Sequence, residues 1–341
     1  MASRRALAVR FALVARLGFV ALLGLAWLLT PSRQSAQPAQ LNWYKGNLHT
    51  HTINSDGDSA PDAVARWYKE HRYQFLVLSD HNFFTNPEPL NGIFGADERF
   101  LLIPGEEVTS RYEKKAVHVN AFRVRETIPP VFGHTLIETI QKNVDVIRQA
   151  GALPSLNHPN FVWSVTPEDL RQVNDLKLFE VYNGHPTVHN FGGGGSASLE
   201  EMWDIVLSAG REVYGIAVDD AHYFKVFGPE YSNPGRGWVS VQAPQLSMDA
   251  ILEAIEAGRF YASTGVELET MSRTSDSLRI TVKQRGNTKY TTRYIGKDGK
   301  VLASSFDLES SYTLRPGDMY ARATVHASDG TTAWVQPVMA R

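Results

Sequence analysis

From Tyr44 to about Gly265 the chain alternates short apolar runs with amphipathic stretches of helical period, and that alternation most narrows what it can fold into. The apolar runs are Gly46–His51, Gln74–Ser79, Phe100–Pro104, Val117–Arg123, Ala152–Leu156, Leu176–Tyr182, Glu212–Val218 and Trp238–Gln242. Helical patterns fall between several of them, at Asp62–His71, Leu136–Ala150, Pro167–Val173, Leu199–Ala209 and Met248–Ala257. Ser247 reads as N-cap of the last and Gly258 as its terminator. Strands alternating with helices predict an α/β domain with a mostly parallel sheet, over residues 41–265. Beyond Gly265 the pattern changes to short strand-like runs separated by Gly-Asn, Asp-Gly and Pro-Gly turns, which predicts a small all-β, sandwich-like domain over residues 266–341.

Residues 1–40 are of a third kind. They hold Arg4, Arg5, Arg10, Arg16 and Arg33, no acidic residue, and an uninterrupted apolar run from Leu17 to Leu29. A basic stretch before an apolar run of this length reads as an export signal, or as an uncleaved N-terminal anchor. The expected location is periplasmic or extracellular, with membrane contact only through residues 1–40 if they are retained. Losing those five arginines would take the formal charge from −2 to −7. An acidic mature protein carries no electrostatic footprint for nucleic acid, so none is expected as a partner.

Within the α/β region, metal-ligating residue types recur where strands end. His49 and His51 sit two apart at the end of a strand, where period-2 alternation points both imidazoles the same way. Asp56-Gly57 follows, able to turn a carboxylate back to the same place. The pattern recurs at Ser79-Asp80-His81-Asn82, Gly105-Glu106-Glu107, His118, Asn157-His158-Pro159 and Asp219-Asp220-Ala221-His222. Six of the eleven histidines fall in these motifs, so they must be judged as a set. His71, His134, His189 and His326 lie outside it and read as structural. The chain has no cysteine, which leaves imidazole and carboxylate to hold any metal and favours zinc, manganese or iron. Chemistry gathered at strand C-terminal ends favours a barrel.

In this order the motifs resemble the PHP (polymerase and histidinol phosphatase) metallohydrolases. The resemblance covers about residues 44–265. The export signal, the β-rich tail and the segment Gly258–Gly265 look most like the carbaryl-hydrolase-like branch. The resemblance implies a distorted (β/α)7 barrel with two or three divalent metal ions at its mouth. By motif, His49, His51, Glu107 and Asp220 would hold one ion, and Asp56, His81 and His222 a second. Glu107 would bridge to a third ion completed by His118 and His158. Asp56 stands where some members carry histidine, a change that suits a harder ion such as manganese. Glu106 should point away from Glu107 by strand alternation. Asp80 and Asp219 would orient the ligand imidazoles, and Glu180 is a candidate buried partner.

Such a centre implies a hydrolase in which a metal-bound hydroxide attacks a small phosphate mono- or diester. Arg111, Asn183 and His185 are the substrate-side candidates, with Lys114 and Lys115 beside Arg111; Phe161 and Trp163 could form an apolar wall. Two rivals stand beside this reading: hydrolysis of a carbamate or carboxylic ester at the same centre, and a non-catalytic exported binding protein.

Overall fold

The computed structural model describes residues 41–340. The expectations for residues 1–40 lie outside the described residues. Among those described, no helix is long and apolar enough to cross a membrane.

The fold is mixed α/β, a large sheet with a few helices. Its first nine strands are β1 (Asn42–Asn47), β2 (Phe75–Leu78), β3 (Leu101–Tyr112), β4 (Lys115–Phe122), β5 (Leu153–Leu156), β6 (Leu178–Asn183), β7 (Tyr214–Val218), β8 (Trp238–Ala243) and β9 (Phe260–Ser263). The helices are α1 (Pro61–Glu70), α2 (Glu88–Phe94), α3 (Leu136–Gln149), α4 (Pro167–Leu170), α5 (Leu199–Ser208) and α6 (Met248–Glu256). Their starts follow local capping chemistry. Thr135 Oγ1 accepts the Glu138 N–H, Ser198 and Glu201 form a reciprocal capping box, and Ser247 Oγ accepts from Ala250. Gly258, at φ 67, ends the segment after α6.

β1, β2 and β3 pair in parallel, as do β5, β6 and β7. The centre departs from the expected parallel order. β3 is twelve residues long and folds back on β4 as an antiparallel hairpin, and β4 pairs antiparallel with β5. Pro104-Gly105 therefore does not end the strand that Phe100 begins. Gly105 is needed there because a Cβ would lie 2.1 Å from Val77 Cγ1 on β2. The far ends of β1 and β7 meet through a parallel bridge between Thr50 and Ala221. Leu48, Val77, Ile103, Leu178 and Val218 from these strands and their ends are buried in one apolar cluster.

After Gly265 come β10 (Leu268–Arg273), β11 (Ser277–Val282), β12 (Tyr290–Ile295), β13 (Val301–Ser305), β14 (Glu309–Thr313), β15 (Tyr320–Ala327) and β16 (Thr332–Met339). β10, β11 and β14 form a three-stranded sheet. β12, β13, β15 and β16 instead extend the large sheet, because β16 pairs with β9. Hydrogen bonding thus runs unbroken across the boundary expected at Gly265. Leu278 and Ile280 of the small sheet share a buried cluster with Ala323, Val325 and Val335 of the large one.

Candidate metal centre

The ligand-type side chains reach the site from strand exits, from the loop after β1 and from within the β3–β4 hairpin. His49 and His51 flank Thr50, whose bridge to Ala221 preserves strand-like alternation just past β1. The His51 N–H donates to the Ala221 carbonyl at 2.9 Å and the Asp220 N–H to the His49 carbonyl at 3.0 Å. That lattice brings the two Nε2 atoms to 3.0 Å from each other. Glu107 lies in β3 beside the β2 exit, where it bridges His81. His118 comes from β4, and His158, Asp220 and His222 from the segments after β5 and β7. His158 and Asp220 are held at φ 23 and φ 50, left-handed backbone that non-glycine residues seldom adopt. Such strain clusters where geometry serves function.

The nine sequence-derived ligand candidates converge on one place. His49 Nε2 is 3.3 Å from Glu107 Oε2 and 3.2 Å from Asp220 Oδ1, and His51 Nε2 repeats both distances. With the Nε2–Nε2 contact, His49, His51 and Asp220 form one group of ligand atoms close enough to share an ion, and Glu107 Oε2 stands beside both imidazoles. A tetrahedral ion with bonds of about 2.0–2.1 Å holds its ligand atoms about 3.3 Å apart. The donors fit a divalent cation. The same Glu107 Oε2 lies 2.9 Å from His81 Nδ1, yet it is buried and accepts no hydrogen bond. An acceptor ringed by imidazole nitrogens and left without a proton donor is what a bound cation would complete.

Asp56 stands apart by exposure, at 55% of its side chain. Its Oδ1 is 3.3 Å from His222 Nε2 and 3.6 Å from His51 Nδ1, and its Oδ2 is 3.6 Å from His81 Nε2. These four residues form a second group of ligand atoms close enough to share an ion, with His51 added to the set implied by the motifs. Gly57 makes the return possible, since a Cβ there would lie 2.8 Å from the His51 backbone. His118 Nδ1 and His158 Nε2 are 3.0 and 3.4 Å from Glu107 Oε1. His118 groups with His81 and Glu107, and His158 with His49 and Glu107.

Electrostatics centre on the carboxylates. Burial pushes Glu107 and Asp220 up, but the surrounding imidazoles outweigh it and hold both well below the usual carboxylate range. Burial favours neutral His49, but Asp220, Glu107 and Glu180 raise it well above an ordinary imidazole. Burial and His222 lower His51 to about 4. The centre attracts positive charge from its own imidazoles, as it would from a metal ion.

Of the residues expected behind the ligands, Glu180 meets an imidazole and Asp80 and Asp219 do not. Asp80 does not touch an imidazole; its carboxylate takes hydrogen bonds from Thr52 N, Thr52 Oγ1, Ser55 Oγ and Thr85 Oγ1, and so pins the loop that carries Asp56. Asp219 accepts from Tyr68 Oη and from the N–H groups of Gly235, Arg236 and Gly237. In both pairs the ligand-type neighbour, His81 or Asp220, turns toward the site and its predecessor away. The partner of His49 is Glu180, whose Oε1 lies 2.7 Å from Nδ1 while its Oε2 accepts from the His158 N–H. Sequence reasoning missed Asn157 as a site residue. Its amide donates to Glu107 Oε1 at 2.8 Å, and its place directly before His158 was the only signal.

The substrate-side candidates separate. Asn183 is fully buried, its amide donating to Glu180 Oε2 and Asp220 Oδ2, so it braces the site from behind and does not face substrate. His185 lines the cavity of about 130 Å³ over the centre, with Phe161, Asp56 and the ligands. Arg111 lines an adjoining cleft with Lys114 and Lys115. Glu106 points away, as alternation requires, and accepts the Ile128 N–H. Trp163 is not part of the cavity wall; its ring stacks on His189 at 4.3 Å.

A solved two-domain protein from Bacteroides vulgatus, described as containing a predicted PHP-like metal-dependent phosphoesterase, superposes on 90% of this chain and 99% of its own. The TM-score is 0.52 and the identity 16%. The fold is that of this PHP-like two-domain protein. A candidate metal-dependent phosphoesterase from Bifidobacterium adolescentis aligns over 64% of this chain and 96% of its own, at TM-score 0.41 and 14% identity. By sequence, an uncharacterised protein of Methanocaldococcus jannaschii is 25% identical over 142 residues, 38% of this chain and 64% of that protein's length. No family profile matches the chain.

Proposed function

We propose that this protein is an exported metal-dependent hydrolase that cleaves small phosphate mono- or diesters, a PHP enzyme of the carbaryl-hydrolase-like branch. The reading takes residues 41–265 as a distorted (β/α)7 barrel and residues 266–341 as an all-β second domain. It rests on one observation above others: the buried ligand atoms of His49, His51 and Asp220 lie within 3.2 Å of one another, with Glu107 Oε2 3.3 Å from both imidazole nitrogens. Asp56, His81 and His222 serve a second ion, and His118 and His158 complete a third with Glu107; zinc, manganese and iron all suit this donor set. Divalent ions held there supply Lewis acidity, neutralise phosphoryl charge and make water acidic.

The chain's own residues do the rest. Glu180 accepts the Nδ1–H of His49, which fixes the tautomer and leaves Nε2 free to ligate. Asn157 and Asn183 occupy carboxylate oxygens of Glu107 and Asp220, which keeps both from rotating. His185 Nδ1 lies 3.3 Å from the Thr187 N–H and 2.8 Å from Thr187 Oγ1, and both contacts suit the tautomer protonated on Nε2. Burial also lowers its pKa, so it is a neutral donor at pH 7, placed in the cavity wall to bond a phosphoryl or leaving-group oxygen.

The test is to load the purified protein with zinc, manganese or iron and assay p-nitrophenyl phosphate, its bis-ester and an aryl carbamate, with metal content measured on the same sample. Turnover of the phosphate esters with at least one bound ion per chain is expected. Turnover of the carbamate alone would replace this reading with its ester-hydrolase rival, and a metal-free, inert protein would leave the binding-protein reading.

A further inference from the structure

The cavity over the metal centre is too small for a whole substrate. At about 130 Å³ it accommodates little more than a phosphoryl group, whereas pockets for small organic ligands run to roughly 300–1,000 Å³. An adjoining cleft of about 700 Å³ supplies the missing room, and His118 and Phe161 line both spaces. The β3–β4 hairpin forms its cationic side. Arg111, Lys114 and Lys115 line it against one acid, Glu113, and none of the three cations makes an ion pair among the described residues. Apolar groups form the other side. Phe132 is 58% exposed and Val162 53% exposed, and both line the cleft with Phe161. Val162 is held at φ 45, a strained conformation for a β-branched residue, so the chain keeps this apolar surface open at a backbone cost.

We propose that this cleft is a second substrate pocket, which takes the leaving-group half of a small phosphoester bearing an aromatic ring and a second anionic group. The ring lies against Phe161 and Phe132, and the second anion meets Arg111, Lys114 and Lys115. Flat apolar walls suit a ring, and unpaired guanidinium and ammonium groups suit a carboxylate or phosphate. The inference rests on the phosphoesterase reading.

Three probes and one variant test it on the metal-loaded full chain. N-acetyl-O-phosphotyrosine carries the ring and a carboxylate, its carboxamide carries the ring without the charge, and glycerol 2-phosphate has neither. The wild type should prefer the acid over the amide by about tenfold in kcat/KM, and the amide over glycerol 2-phosphate. In R111Q/K114Q/K115Q the acid-over-amide preference should collapse toward one while the ring preference persists, with an unshifted thermal midpoint showing the variant folded. Equal turnover of acid and amide by the wild type, or an acid preference that survives in the variant, overturns the pocket and leaves the phosphoesterase reading standing. Inhibition by a single-stranded oligonucleotide far exceeding that by the acid at equal concentration overturns the small-molecule occupant. No turnover of any phosphoester removes both readings together.

Discussion

Two buried clusters of charge sit in this molecule, and they are built on opposite principles. In one, Arg322 of β15 reaches α5, its guanidinium donating to both oxygens of Asp204 at 2.6 and 2.7 Å and to Glu200 at 3.0 Å. The carboxylates are saturated further by Tyr320, Thr324 and Trp334. In the other, Glu107 and Asp220 are surrounded by imidazoles, and Glu107 Oε2 and His118 Nδ1 are buried without a hydrogen-bond partner. The first cluster supplies its own cation and joins β15 to the α/β region. The second leaves the place of a cation open. A buried polar group is costly when unpaired, so the open cluster is explained by a ligand and the closed one by packing.

The largest effect that can break this comparison is at Glu107. Glu107→Gln removes the charge at the centre of the cage and should lower both bound metal and turnover. The loss in kcat/KM should be on the order of 10³-fold, the equivalent of several kcal/mol of transition-state stabilisation. Metal analysis and steady-state kinetics on one preparation read both. A variant that keeps its full metal complement would mean that the open cluster is not organised by Glu107.

Arg322 should behave in reverse. Arg322→Ala strands Asp204 and Glu200 and should destabilise the fold by roughly 3–5 kcal/mol in denaturant unfolding. Arg322→Met, which fills the volume without charge, should restore part of that. Neither should change metal stoichiometry in the folded fraction. Metal loss in a folded Arg322 variant would show that the two clusters are coupled.

Adjacent residues in β3 sharpen the contrast further. Glu106 and Glu107 differ only in the face they occupy, yet Glu107 is held well below the usual carboxylate range while burial pushes Glu106 up to about 7. A carboxyl whose folded pKa is raised holds its proton more tightly folded than unfolded. Its stability contribution is therefore full below about pH 4.5 and is lost as pH rises through 7. Glu106→Gln keeps the acceptor for the Ile128 N–H and removes the charge. It should stabilise the protein at pH 8 by up to about 3 kcal/mol and flatten the fall in stability between pH 4.5 and 7. Urea midpoints at pH 5 and pH 8 measure it; a variant no more stable than wild type at pH 8 contradicts it.

Much of the site was legible in the sequence: the resemblance to the PHP motifs singled out Glu107 and His81, and strand alternation then turned Glu106 away. Local periodicity carries which side chains share a face. It does not carry which strands pair. The β3–β4 hairpin was missed because Pro104-Gly105 reads as a stop, although Gly105 is there for close approach to Val77. The pairing of β16 with β9, which carries the large sheet past Gly265, joins residues some seventy positions apart, beyond any local pattern. The same limit explains Asn183. Its position at the end of a strand was readable, whereas its bond to Asp220 crosses to the segment after the neighbouring strand β7.

The smallest effect expected separates the two principles within a single residue. Glu180 is acidic and fully buried, as Asp204 nearly is, but it is placed to act on the open cluster, through His49 Nδ1 and the His158 N–H. If its role is to fix the His49 tautomer, Glu180→Gln should keep the fold and weaken metal binding by about 10–100-fold, the usual scale for a residue behind a ligand. Asp220 and Glu107 would still hold the ion, so the loss is smaller than at Glu107. Competition against a chelator of known affinity measures it, alongside the thermal midpoint of the metal-free protein. A variant with unchanged metal affinity but a lowered metal-free midpoint would place Glu180 with Arg322 among the packing charges, and would leave Asn183, through Asp220, as the tie between β6 and the chemistry of the site.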